Sequence, residues 1–231
     1  MLRDRRAIMK TDFLLKQDIV AELDWDPAIN ADHVGVAVSD GIVTLTGHVT
    51  TYPQKWAIQK AVRRVAGVKA IALDIEVCVA SSHRRDDTDI ATSADLALRW
   101  QAELPAEAVG VTVDKGWITL QGEVDWDYQR KSAERAVRGL RGVVGLDNHI
   151  KLRKKAVVAD VAALIHQALA RRADRESRKL AVEIADNVVT LRGSVHSWQE
   201  RDAVRGAAAS AAGVSEVVDE LTIGESAPPG P

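Results

Sequence analysis

The chain has 231 residues, 46% of them hydrophobic and 28% charged, with a net charge of −2 and one cysteine. The near-neutral balance excludes the basic footprint of a nucleic-acid-binding protein. One cysteine excludes an internal disulfide framework or a cysteine-based zinc cage, and no run of roughly eighteen apolar residues is present to form a transmembrane segment.

Residues 1–10 carry charge but no apolar segment, so they read as a flexible terminus without a secretory leader. On that reading the protein is cytoplasmic as the sequence stands, and periplasmic if a leader was removed. Leu15, Ile19 and Leu23 then recur every fourth residue and predict an amphipathic helix. Two strands follow, Val34–Val38 and Ile42–Val49, joined by Asp40 and Gly41, a pair suited to the positive backbone angles of a type I′ turn. A second helix over Gln54–Val65 is rich in good helix formers and stops at Gly67. The alternation of Ile71, Leu73, Ile75 and Val77 predicts a last strand, with Cys78 at its end as a packed or half-buried thiol.

The order then repeats. Leu96, Trp100 and Leu104 predict the next opening helix, which places Trp100 on an apolar stripe and leaves a loop about six residues shorter before the strands. Trp117 starts the second strand of this copy and is expected in the core. A helix over Tyr128–Leu140 and a strand through Leu146, Asn148, Ile150 and Leu152 complete it. In the third copy Val161, Ile165 and Leu169 predict the opening helix, Trp198–Ala211 the second helix, and Val217, Leu221 and Ile223 the last strand. Asn148 and Asp219 break the alternation at one matched position, which predicts a sheet edge or a contact between copies. The short linker Arg153–Ala156 predicts that the second and third copies are held together while the first can swing.

Three stretches carry the repeat: VSDGIVTLTGHV (Val38–Val49), VDKGWITLQGEV (Val113–Val124) and IADNVVTLRGSV (Ile184–Val195). Turn residues Gly41, Gly116 and Asn187 each stand six positions before a strand-end glycine, Gly47, Gly122 or Gly193, and a helix-ending glycine, Gly67, Gly142 or Gly213, stands twenty further on. These residues are assigned turn and cap duties. The predicted fold class is α+β, three tandem αββαβ modules, each with two helices packed on one face of a three-stranded mixed sheet. The expected domains are residues 11–79, 89–153 and 156–224, with 225–231 a second flexible end.

This pattern resembles the BON family (bacterial OsmY and nodulation), in the module order, the turn glycine, the strand-end Gly-x-Val and the steps Gly67-Val68, Gly142-Val143 and Gly213-Val214. The resemblance implies a non-catalytic binding module associated with phospholipid or membrane surfaces and with osmotic or envelope stress. Members that bind potassium also exist, so the alternative is a cytoplasmic scaffold or ligand sensor working through contacts between modules and with proteins.

The residues themselves show no P-loop, nucleophile elbow or dinucleotide-binding pattern, and the six histidines have no metal-ligand spacing, so no catalytic residue, metal site or cofactor is assigned. The candidate contact for a phospholipid surface or a protein partner is the junction before each second helix. It carries Tyr52, Trp126 with Tyr128, and Trp198, with a basic residue at a matched place, Lys55, Arg130 or Arg201. An aromatic ring can lie at a lipid interface while the cation meets phosphate; packing of the rings on a sheet edge or a neighbouring module is the competing expectation.

Overall fold

The repeated motif folds the same way each time in a computed structural model that describes residues 11–153, 180–185, 187–195, 197–211 and 214–223. Module 1 contains α1 (Asp12–Trp25), β1 (Val34–Ser39), β2 (Ile42–Val49), α2 (Tyr52–Arg64) and β3 (Ala70–Val77). Module 2 contains α3 (Asp87–Arg99), β4 (Val109–Asp114), β5 (Trp117–Val124), α4 (Asp127–Arg138) and β6 (Gly145–Leu152). Module 3 contributes β7 (Ala181–Ala185), β8 (Val188–Val195), α5 (Trp198–Ala209) and β9 (Glu216–Ile223). Val161, Ile165, Leu169 and Gly213 lie outside the described residues, as do both termini.

Each sheet has three strands in chain order, the middle one antiparallel to the first and parallel to the third. The middle strand supplies the core because its alternate residues face the helices: Val43, Leu45 and Val49 in β2, Ile118, Leu120 and Val124 in β5, Val189, Leu191 and Val195 in β8, all buried. The hairpin turns adopt positive φ at Asp40 (52°) with Gly41 (78°) and at Lys115 (49°) with Gly116 (79°), while Asn187 reaches 68° in module 3.

A carboxylate fixes two of these turns to the opening helices. Asp12 accepts from the backbone N–H of Asp40 (2.8 Å) and of Gly41 (3.0 Å), and Asp87 does the same for Lys115 (2.7 Å) and Gly116 (2.8 Å). Both amides would otherwise face solvent at a strained turn. Asp87→Ala is therefore expected to cost about 1–2 kcal/mol, with Asp87→Asn between the two, as read by urea unfolding.

The register of α3 corrects the sequence reading. The residues that face the core are Ile90, Ala94 and Leu98, whereas Leu96 and Trp100 are 56% and 78% exposed and Leu104 reaches the core from the following loop. α3 thus begins earlier than expected, and no loop is shortened: eight residues separate α1 from β1 and nine separate α3 from β4. Trp117 is also not a core residue. It is 43% exposed, its indole N–H donates to Asp147 at 3.0 Å, and its ring covers Gly145, where a Cβ would lie 2.3 Å from it. Cys78 is exposed, just past the end of β3.

β6 and β9 are edge strands, but the polar residues that break their alternation turn inward within their own module. Asn148 donates to the Arg130 carbonyl (3.3 Å) and accepts from Ile150 N–H (3.2 Å). Asp219 takes the Arg201 Nε–H (2.8 Å) and Leu221 N–H (3.1 Å). Among the described residues neither bonds to another module.

Candidate functional site

The second helices begin at Tyr52, Asp127 and Trp198, one matched position in each module. Thr51 and Ser197 cap two of them by accepting from Gln54 N–H (3.4 Å) and Glu200 N–H (3.1 Å). In module 2 the cap is built differently: Gln129 folds back so that its Oε1 accepts from Asp125 N–H (3.0 Å) and Trp126 N–H (3.1 Å), while its amide donates to the Glu103 carbonyl (2.9 Å).

Tyr52 and Trp198 do not face solvent; each packs on another module. Tyr52 leaves module 1 to lie against the core of module 2, and burial there pushes its phenol pKa up, helped by Glu134 and opposed by Arg138. Trp198 leaves module 3 to lie against the core of module 1, where its indole N–H donates to the Val68 carbonyl at 3.0 Å. At the matched place in module 2, Asp127 is 2% exposed and holds Arg130 and Lys131 of its own helix. The aromatic pair of module 2, Trp126 and Tyr128, flanks that position, and Tyr128 is 52% exposed.

The basic residues of the proposed junction are committed as well. Lys55 Nζ donates to the Ile75 carbonyl at 2.7 Å, Arg130 pairs with Asp127, and Arg201 pairs with Asp219 while lying over the Trp198 ring at 5.1 Å. The seven residues therefore do not form one surface: Tyr52 and Trp198 lie in the joints, Arg201 lies over Trp198, Lys55 and Arg130 bond within their own modules, and Tyr128 is the exposed ring.

Further along the same helices a second set of contacts joins the modules. Arg63 of α2 lies over Trp198 at 5.2 Å and 3.8 Å from Asp202 of α5. Arg138, at the matched place in α4, lies over Trp56 of α2 at 3.8 Å and pairs with Glu134. In α5 the matched residue is Ala209, and a Cβ on nearby Gly206 would meet Lys131 Nζ of α4 at 3.9 Å. The three second helices thus meet pairwise in a ring, and module 1 touches both of the others instead of swinging free. The α2–α5 joint leaves a cleft of about 340 Å³.

Sequence reasoning allows Trp25 to be exposed in its loop but misses its counterpart Trp100. Trp25 and Trp100 occupy matched positions at the ends of α1 and α3 and are 83% and 78% exposed. The signal was present in their equal distance from Gly41 and Gly116, but the wrong register for α3 hid it. Among the described residues no group of three or more His, Cys, Asp or Glu is placed to hold a metal ion, and no helix is long and apolar enough to cross a membrane.

The family model described as "BON domain" matches residues 11–79, 86–154 and 158–225. "Osmotically-inducible protein Y" of Escherichia coli (strain K12) is 27% identical over 144 residues, covering 59% of this chain and 72% of that protein. Two solved structures of CdsD, a structural protein of the type III secretion system of Chlamydia trachomatis, align over 90% and 91% of this chain and 90% and 98% of theirs, at 15% identity and a TM-score of 0.25.

Proposed function

The chain belongs to the BON domain family, in three tandem copies, and from that membership we propose that it is a non-enzymatic binding protein that associates with phospholipid surfaces under osmotic or envelope stress. Its similarity to an osmotically inducible protein supports the stress assignment. The observation that carries the surface reading is the end of α3, where Leu96 and Trp100 stand out from the fold beside Arg99, whose side chain is 71% exposed and must exchange its 2.8 Å surface pair with Asp95 to meet a phosphate. An indole there can enter the interfacial layer with its N–H in water while the guanidinium meets a phosphate. The matched Trp25 lies beside the exposed Asp24, which repels an anionic surface, and has no adjacent arginine, so α3 is favoured over α1 as the contact.

Co-sedimentation with anionic vesicles tests this. Trp100→Ala is expected to weaken binding about tenfold or more, the value of burying one indole, and binding should fall as salt rises. Tyr128→Ala probes the remaining exposed ring of the junction. Vesicle binding that survives both substitutions, or none by the unaltered chain, would remove the reading.

A second reading, a soluble scaffold or ligand sensor, is favoured by one observation, the cleft in the α2–α5 joint, which Lys60, Arg63 and two glutamines line.

A further inference from the structure

The α2–α5 joint holds hydrogen-bond donors that the chain does not use. Lys60 and Arg63 lie one turn apart on α2, and neither side chain donates a hydrogen bond among the described residues. The Lys60 ammonium rests 5.0 Å over the Trp56 ring, and the Arg63 guanidinium lies 5.2 Å from the centre of the Trp198 ring. The carboxylate facing Arg63 is Asp202, at 3.8 Å and so beyond hydrogen-bond reach, and the Arg63 Nε is buried without an acceptor. Gln59 from α2 and Gln199 from α5 line the same cleft, and neither amide has a partner among the described residues. Arg64 is also in its wall, but Glu22 (2.8 Å) and Asp26 (3.3 Å) neutralise it.

The matched joint shows what is missing. Arg138 stands where Arg63 stands, and Glu134 on the same helix supplies its counter-charge. In α2 the residue at the place of Glu134 is Gln59, so the α2–α5 joint keeps the cations and lacks the built-in acid. Two cations facing a single loosely held carboxylate, Asp202, beside unused N–H donors can cradle an oxyanion that takes the place of that carboxylate at Arg63.

We propose that this cleft binds a soluble anion of the phosphate class, inorganic phosphate or a small phosphate monoester. Lys60 and Arg63 supply the charge, and the amides of Gln59 and Gln199 donate to the remaining oxygens. Because Gln199 belongs to module 3 and the cations to module 1, the bound anion ties the two modules together, and occupancy of the cleft sets how firmly the ring is closed. This site is separate from the surface contact at α3, and either can fail without the other.

The test titrates the full chain with inorganic phosphate at constant ionic strength, balanced with chloride, by calorimetry and thermal melting. Binding should saturate at one site, and Tm should rise with phosphate concentration. Lys60→Gln is expected to weaken binding about tenfold, the loss of one charge-assisted contact. Gln59→Glu, which restores the acid of the matched joint, should abolish binding while the fold persists by circular dichroism, so the site remains testable even if Arg63→Gln fails to fold. No saturation beyond the chloride control, or equal binding by the unaltered chain and both variants, overturns the proposal. Binding to phosphatidate vesicles without binding of free phosphate would assign these cations to a membrane headgroup and overturn it equally.

Discussion

Gly122→Ala is expected to destabilise module 2 by about 3 kcal/mol or more. Gly122 sits at φ 139°, a backbone region that side chains rarely enter, and a Cβ built there would lie 2.1 Å from the Ala108 carbonyl oxygen. That oxygen accepts from Glu123 N–H (3.2 Å) where β4 begins, so relief by moving the backbone would break the first rung of the β4–β5 ladder. Gly47 repeats the arrangement, with φ 118° and a Cβ position 2.0 Å from the His33 carbonyl oxygen. Gly139 provides the control. It has φ −89° and open space around its Cβ position, so Gly139→Ala should be neutral or slightly stabilising, within about 1 kcal/mol, by reducing the freedom of the unfolded chain. Urea unfolding of both variants checks the contrast, and a Gly122→Ala midpoint equal to that of Gly139→Ala would contradict it.

The strand-end glycines and hairpin turns were legible in the sequence because their cause is local: a positive φ favours glycine, asparagine or aspartate, and even where Lys115 takes one (49°) the next residue is a glycine. The middle strands were legible for a similar reason, since alternation along six or eight residues reports directly which face is buried. The opening helix of module 2 was not. Ile90, Ala94 and Leu98 recur every fourth residue, and so do Leu96, Trp100 and Leu104, and the larger side chains gave the stronger pattern. Only the packing decides, because the small Ala94 lets α3 lie close to the sheet and to α4. One clue would have settled it: Asp12 and Asp87 precede Gly41 and Gly116 by the same distance, and each bonds to the turn it precedes.

The junction residues were ambiguous in the sequence for a different reason. Aromatic rings followed by a cation describe an interfacial contact and a packed joint equally well, and the partners that separate the two are remote. The Trp198 indole bonds to a carbonyl 130 residues away, and Arg63 reaches Asp202 across two module boundaries. No local pattern encodes such a pairing. Repetition supplies it instead: a module that leaves one residue projecting and one recess open can place that residue in the next copy, and three copies close the circuit.

Trp198→Ala follows from that closure and is expected to cost about 2–3 kcal/mol, less than a fully buried tryptophan because this one is half-buried. The substitution removes the ring from the core of module 1, leaves the Val68 carbonyl without its 3.0 Å donor, and takes the stacking surface from under both Arg63 and Arg201. Trp198→Phe keeps much of the packing and loses the hydrogen bond, so it should cost only about 1 kcal/mol. The loss should be specific to the joint. Combined with Arg63→Ala, Trp198→Ala should be non-additive, since the two residues touch, whereas combined with Asp87→Ala it should be additive, since those sites share no partner. Small-angle scattering adds a geometric readout, because a ring opened between modules 1 and 3 must have a larger radius of gyration than a closed one. Unchanged dimensions together with additivity toward Arg63→Ala would mean that the ring is held elsewhere, with Tyr52 and Arg138 at the other joint of module 1 as the remaining candidates.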